Sequence, residues 1–320
     1  YILSYYSANF CIISFHEKVF FLFISFTDST TGLASKLSLI KLKLSLILIT
    51  QSFPFGLAES SFLKEEIKSL AKKFNVHIVS RNAKDVQYVE VPDNVTLHRY
   101  DASCGYRVLK LFVGALCSIS LYKEFFELFR NNKICLFCIK KCITLEMRIL
   151  HFECFLSKIR EQTSGAVVLY SYWNDYSCFT ATRVRKKGDF IITRLHGGDL
   201  YELDINNNYQ PYKCIYNKKV DLFSFISHKG LSYFNETYYD VSDKATVNYL
   251  GVPEYKVSYR FTERTDVRIV SFSYVRDIKR IDRIIETLSC LDNIRVSWVH
   301  IGARYLFESV KEYARQKLAE

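Results

Sequence analysis

Apolar residues along this chain gather in short runs separated by longer amphipathic stretches, and the pattern begins at Leu44. LSLILIT (44–50) is continuously apolar and partly β-branched, as in a strand buried on both faces. QSFPFGLAES breaks the run with a proline and a glycine. SSFLKEEIKSLAKKF then sets Phe62, Leu63, Ile67, Leu70, Ala71 and Phe74 at helical spacing. VHIVS (76–80) is the next run of strand length. Strand, loop, helix and strand make a βαβ unit, and its repetition predicts a parallel α/β sheet. AVVLYSY (166–172), DFIITRLH (189–196) and DLFSFIS (221–227) predict further strands, while residues 106–160 read as helices mixing aromatic and basic positions.

KATVNYLGVP (244–253) ends in Gly-Val-Pro, the mark of a domain exit, and the polar, strand-poor stretch 254–266 reads as a linker. The pattern then restarts. VRIVSFS (267–273) and IRVSWVHIG (294–302) predict strands, KRIDRIIETLSCL (279–291) an amphipathic helix, and LFESVKEYARQKLAE a closing helix. This second unit, 267–320, has about half of the ~100 residues a complete domain usually needs, so it is expected to be incomplete.

Composition narrows the class. The chain has 320 residues, 49% of them hydrophobic and 16% aromatic, enough for two buried cores and against global disorder. Its 44 Lys and Arg against 33 Asp and Glu give a net charge of +11, which favours anionic partners such as phosphates, nucleotides or an anionic membrane face. No recognised nucleic-acid-binding module accompanies that charge, so nucleic acid is not expected as a partner. Ten cysteines scattered through a long chain suit reduced thiols in the cytoplasm. Cys135, Cys138 and Cys142 are spaced to share one helical face and have no second pair to complete a zinc site, so no metal is expected. Residues 1–42 begin at Tyr1 and contain KVFFLFISF (18–26), too short to span a bilayer. They are expected to be an extension outside the catalytic unit, with a short membrane-surface anchor as the alternative.

The candidate chemistry centres on TRLHGGDLYE (193–202), where a β-branched run ends in His196, Gly197, Gly198 and Asp199. Two glycines after a strand usually mark a tight turn, and a strand-end histidine is commonly structural. The surrounding motifs alter that balance. From Leu44 onward the chain resembles glycosyltransferase family 4, of GT-B architecture, in several segments that occur in the right order. The first strand with FPFGLAESSFLKEEI looks like that family's first loop and helix. SYWNDYS (171–177) resembles its strand-end motif, and RLHGGDLYE an H-G-x-D-L-Y-E segment of a polysaccharide-building branch. IVSFSYVRDIKRIDRIIETL resembles its donor-phosphate strand and helix, and WVHIG the strand entering the donor site.

The resemblance implies two Rossmann-like domains facing across a cleft: an N-terminal acceptor domain at 43–253 and a partial donor domain at 267–320. It also implies retaining, metal-independent transfer of a sugar from a nucleotide-sugar, with no cofactor, to a glycan or lipid-linked saccharide in cell-surface polysaccharide synthesis. The expected setting is the cytoplasm, with peripheral contact at an anionic membrane through residues such as Tyr106, Arg107, Lys110, Phe112 and Lys123. Gly56 would let the diphosphate or a sugar hydroxyl approach the helix N-terminus, with Glu59 beside it on the acceptor side. His196 would contact the donor sugar or position the acceptor, Gly197 and Gly198 would leave room, and Asp199 would contact acceptor hydroxyls or cap the following turn. Lys279 would neutralise the leaving diphosphate, and Gly302 would border the donor site. The family's accompanying arginine falls at Tyr274, leaving Arg276 as the nearest substitute. The family's two glutamates, seven residues apart, would fall past Glu320, so the resemblance implies a partial enzyme. Alternatives are a sugar-nucleotide epimerase of the same architecture and a non-catalytic basic protein that binds anions or nucleic acid.

Overall fold

The computed structural model describes residues 44–57, 59–83, 86–102, 108–202, 208–251, 266–291 and 295–318. The expected extension 1–42, all but Asp266 of the expected linker, and Tyr106 and Arg107 lie outside these residues. The chain divides into two compact units at residues 254 and 255.

The first unit is built on seven parallel strands: β1 (Ser45–Thr50), β2 (Asn75–Ser80), β3 (Val95–Arg99), β4 (Val167–Ser171), β5 (Phe190–Leu195), β6 (Leu222–Phe225) and β7 (Ala245–Val247). Their order is β3-β2-β1-β4-β5-β6-β7, so the chain reverses its direction of growth between β1 and β4. The apolar run of β1 works as the pattern requires. Leu46 and Leu48 face one layer with α1 (Ser60–Lys73), through Leu63, Ile67 and Leu70. Ile47 and Ile49 face the other, which holds Ile149, Phe152 and Leu156 from α4 (Leu136–Gln162) and Phe179 from α5 (Tyr176–Val184). Both faces are buried, which is why the strand reads as unbroken rather than alternating.

β3 was not legible as a strand. It is an edge strand whose residues are only partly buried, and its alternation carries His98, which stacks on His77 of β2 at 5.4 Å. The helical stretch resolves into α2 (Val108–Leu116), α3 (Ile119–Arg130) and α4. The three cysteines separate: the exposed Cys135 caps α4, accepting from the Cys138 backbone N–H at 3.3 Å, while Cys138 and Cys142 are buried. Cys142 Sγ lies 3.0 Å from the Tyr209 hydroxyl, and burial pushes its thiol up to about 12. Two buried ion pairs tie the layers, Arg160–Asp189 and Arg194–Glu66, each at 2.6 Å.

A further helix of the first unit, α8 (His228–Thr237), follows β6, and the second unit pairs β8 (Val267–Phe272) with β9 (Val296–Ile301) in parallel, with α9 (Ile281–Ser289) and α10 (Phe307–Lys317) following the strands in turn. Ile281 and Ile285 are the buried positions of α9.

Candidate functional site

A cleft of about 690 Å³ opens in the first unit at the carboxyl ends of β1, β2, β3, β4 and β5, spanning the point where strand order reverses. Ligands of open α/β sheets collect there because strand-end loops diverge on either side of the reversal. Its walls come from Gln51 after β1, Arg81 after β2, Tyr100 after β3, Trp173 and Asn174 after β4, and Asp199 after β5. Lys141 and Arg148 enter from α4, and Lys213 from α7 (Lys213–Tyr216).

The loop after β1 is fixed by one carboxylate. Glu59 is 1% exposed and takes four N–H donors. Oε1 accepts from Gln51 N at 2.8 Å and Trp173 Nε1 at 2.6 Å, and Oε2 from Ser52 N at 2.7 Å and Phe53 N at 2.9 Å. Both oxygens are thus filled by the chain itself. Glu59 is a positioning residue that sets Trp173 in the cleft wall, not a group left open towards an acceptor. Gly56 has a similarly internal reason. A Cβ there would lie 2.6 Å from Ser52 Oγ, so glycine allows the loop to fold on itself. The α1 N-terminus is also occupied: Ser60 N donates to Leu57 O at 3.3 Å and Phe62 N to Glu59 O at 3.1 Å.

His196 lies one layer behind the wall. Its ring centroid is 4.5 Å from that of Trp173 and 4.9 Å from that of Tyr172, and its Nε2 donates to the Tyr172 carbonyl at 3.2 Å. Burial, reinforced by the Arg194 guanidinium, lowers its pKa to about 3. The imidazole is therefore neutral at physiological pH and backs Trp173. Gly197 and Gly198 do not make a tight turn. They open the one-turn helix α6 (Gly197–Leu200), with neither at positive φ. A Cβ on Gly198, which lines the cleft, would meet nothing within 4 Å, so the missing side chain enlarges the cavity rather than relieving a clash.

Asp199 ties the ends of β4 and β5 together. It accepts from His196 N at 2.6 Å and Asn174 N at 2.7 Å, and the buried Lys213 ammonium donates to its backbone carbonyl. Burial pushes the Asp199 carboxyl up to about 7 against the pull of Lys213 and the two N–H groups. Burial also brings Lys213 down to about 8, against the pull of Asp199. Lys213 follows Tyr212, which is fully buried at φ 66°, a left-handed conformation that a bulky residue adopts only when its surroundings enforce it. Arg81 donates to Asp175 at 2.8 Å, and Asp175 in turn caps α5 by accepting from Ser177 N at 2.8 Å. Lys141 and Arg148 are in no ion pair among the described residues, so the cleft carries surplus positive charge.

Of the residues singled out by sequence, Gly198 and Asp199 line this cleft, and His196 and Glu59 support Trp173 within it. Lys213, Arg148 and Trp173 were missed. Lys213 was hidden in a tyrosine-rich stretch, and α4 offered no motif. Lys279, Arg276 and Gly302 belong to the second unit. Lys279 ends a single 3₁₀ turn, Asp277–Lys279, for which Arg276 is the N-cap, and both side chains are exposed. Gly302 follows β9 at φ 140°, where a Cβ would lie 1.9 Å from the Ser273 carbonyl. Only glycine fits that contact between the β8 and β9 ends. Beside it the Arg304 guanidinium stacks 5.4 Å over the ring of Tyr274. Arg304, not noted in the sequence, thus brings a cation beside Tyr274, the position at which the resemblance led to the expectation of an arginine. No cluster of three or more His, Cys, Asp or Glu placed to hold a metal ion occurs among the described residues.

The strand order, the all-parallel sheet and the second β/α unit define a Rossmann-like fold of the GT-B glycosyltransferase type. The chain is similar in structure to lipopolysaccharide outer core galactosyltransferase WaaB in its apo form, with a TM-score of 0.54 and 14% identity. It is also similar to TarM, with a TM-score of 0.56 and 10% identity. The match covers 85% of this chain and 65% of WaaB, and 86% of this chain and 75% of TarM. The chain thus spans about two thirds of the first and three quarters of the second. A variant of S. aureus TarM solved with fondaparinux, alpha-GlcNAc-glycerol and UDP matches with a TM-score of 0.54 and 9% identity, over 86% of this chain and 75% of that one. No protein-family model and no curated protein matches the sequence.

Proposed function

We propose that the chain is the acceptor-side domain and the beginning of the donor-side domain of a glycosyltransferase. It would transfer a sugar from a nucleotide-sugar to a glycan or lipid-linked saccharide at an anionic membrane face, in cell-surface polysaccharide synthesis. One observation carries the reading: a positively charged cleft at the strand-order reversal, walled by Gly198 and Asp199 of the H-G-x-D segment and by an aromatic side chain, in a fold shared with two proteins of which one is named a galactosyltransferase and the other has been solved with UDP. Trp173 offers an aromatic wall for a sugar ring, held by Glu59 on its indole N–H and by the neutral His196 at its back. Lys141 and Arg148 would favour an acceptor bearing an anionic group.

In the second unit, Lys279 and the exposed end of β8 would meet the donor diphosphate, where positive charge stabilises a nucleotide leaving group without a metal. Retention of anomeric configuration and assignment to family 4 belong to the same proposal and are supported by the order of the motifs. Titrating the chain with UDP- and GDP-sugars tests it directly. Saturable binding of a nucleotide-sugar, weakened about tenfold or more by Lys279→Ala, is expected for loss of a charge-assisted phosphate contact. A chain that binds none of the nucleotide-sugars refutes the reading. Recovery of the donor as its epimer, with no sugar transferred, assigns the epimerase instead.

A further inference from the structure

The helices leading to the cleft carry an apolar surface that the described part of the chain does not cover. α2 reads VLKLFVGAL, apolar almost all round, yet Ala115 is its single buried residue. A helix apolar on every side is ordinarily enclosed by protein or by lipid. α3 has two apolar faces. Leu121 and Leu128 are buried, while Ile119, Tyr122, Phe126 and Phe129, at helical spacing, are 59–72% exposed. At the start of α4, Leu136 is 82% and Phe137 45% exposed. Scattered exposed apolar residues need no explanation, but an uninterrupted series over three successive helices marks a contact surface.

The charges around it that lack an ion-pair partner among the described residues have one sign. Lys110 and Lys123 lie on the helices themselves, Lys140 follows Phe137, and Lys218 and Lys219 border the groove formed with Ile119, Tyr122 and Phe126. None of these five lysines is in an ion pair among the described residues. The nearby acids are spoken for: Glu124 is buried and accepts from the Tyr209 hydroxyl at 2.5 Å, and Glu127 pairs with Arg130 at 2.6 Å. Exposed apolar side chains flanked by unpaired lysines match a bilayer interface bearing anionic headgroups, into which such helices sink their apolar side.

We propose that residues 108–140 seat the protein on an anionic lipid bilayer, with the exposed faces of α2 and α3 and the first turn of α4 in the headgroup region. Among the described residues no helix is long and apolar enough to cross a membrane, so the contact is interfacial. The placement also serves the cleft. Leu136 and Arg148 are on the same helix, about 18 Å apart at 1.5 Å per residue, so an acceptor anchored in the lipid would be presented beside the cleft wall. This inference gives the membrane setting of the proposed function its surface, but its test needs no sugar transfer, so the two can fail separately.

The test is sedimentation of the full chain with vesicles of phosphatidylcholine alone or with 30% phosphatidylglycerol. Binding should be at least tenfold stronger to the anionic vesicles and should fall several-fold in 0.5 M salt, as screened charge requires. Phe126→Ser with Phe129→Ser and Leu136→Ser should lower the partition coefficient at least tenfold. So should Lys123→Glu with Lys218→Glu and Lys219→Glu. Both variants should keep the wild-type thermal transition, because the altered side chains are on the surface. A chain that stays in the supernatant overturns the proposal, whether residues 1–43 or a second copy of the chain covers the face instead. Equal binding to both vesicle types, or wild-type binding by either folded variant, overturns it as well.

Discussion

Replacing Glu59 with Gln tests whether one carboxylate sets the cleft wall. The side chain keeps its shape, but one oxygen becomes an NH₂ group facing two N–H donors. Whichever way the amide turns, two of the four hydrogen bonds are lost: Gln51 N and Trp173 Nε1, or Ser52 N and Phe53 N. Hydrogen bonds to a charged group contribute about 1.5–3 kcal/mol each, so the loss of two is expected to cost about 3–6 kcal/mol. At about 2–4 °C per kcal/mol for a unit of this size, the melting temperature should fall by roughly 10 °C. Scanning calorimetry and urea unfolding would measure it. The half-exposed Glu65, whose ion pair among the described residues is with Lys68, serves as a control, and its Gln variant should stay within about 0.5 kcal/mol of the parent. If Glu59 instead contacted the acceptor, the variant would fold normally and lose only affinity. A melting temperature within about 2 °C of the parent would therefore refute the reasoning.

Two further outcomes follow from the site. Asp199, whose carboxyl is raised from 3.8 to about 7, contributes stability that is fully present below pH 4 and is lost as pH rises towards 7. His196, lowered from 6.5 to about 3, has the opposite slope between pH 3 and 6.5 and offsets it in the parent. The stability of the parent relative to Asp199→Asn should therefore fall as pH rises from 4 to 7, by at most about 1.4 kcal/mol per pH unit, and urea unfolding curves that shift in parallel at pH 4.5 and 7 would contradict this. In the second unit, Gly302→Ala would force a Cβ onto the Ser273 carbonyl, so hydrogen exchange of the β9 amides should accelerate at least tenfold, and unchanged protection would show that the turn relaxes without cost.

Much of the fold was legible because burial on both sides of a parallel sheet leaves an unbroken apolar run. β1, β4 and β5 were all marked that way within a residue or two of their ends. β3 was not, since an edge strand with a half-polar face, VTLHR, loses that signal. The segment RLHGGDLYE also stood out in the sequence, and its Gly198 and Asp199 line the cleft. The division of labour within it was not recognisable. Local sequence cannot tell that Glu59 spends both oxygens on backbone and indole donors, or that His196 sits behind Trp173 rather than in front of it. Lys213 and Arg148 join the site from helices with no motif of their own, because packing over long sequence separations brings them there. Sequence periodicity is set by which face of an element is buried, and that is a local property. Which side chains meet at a strand-end cleft depends on the order of the strands and the paths of the loops, and only the folded chain decides those.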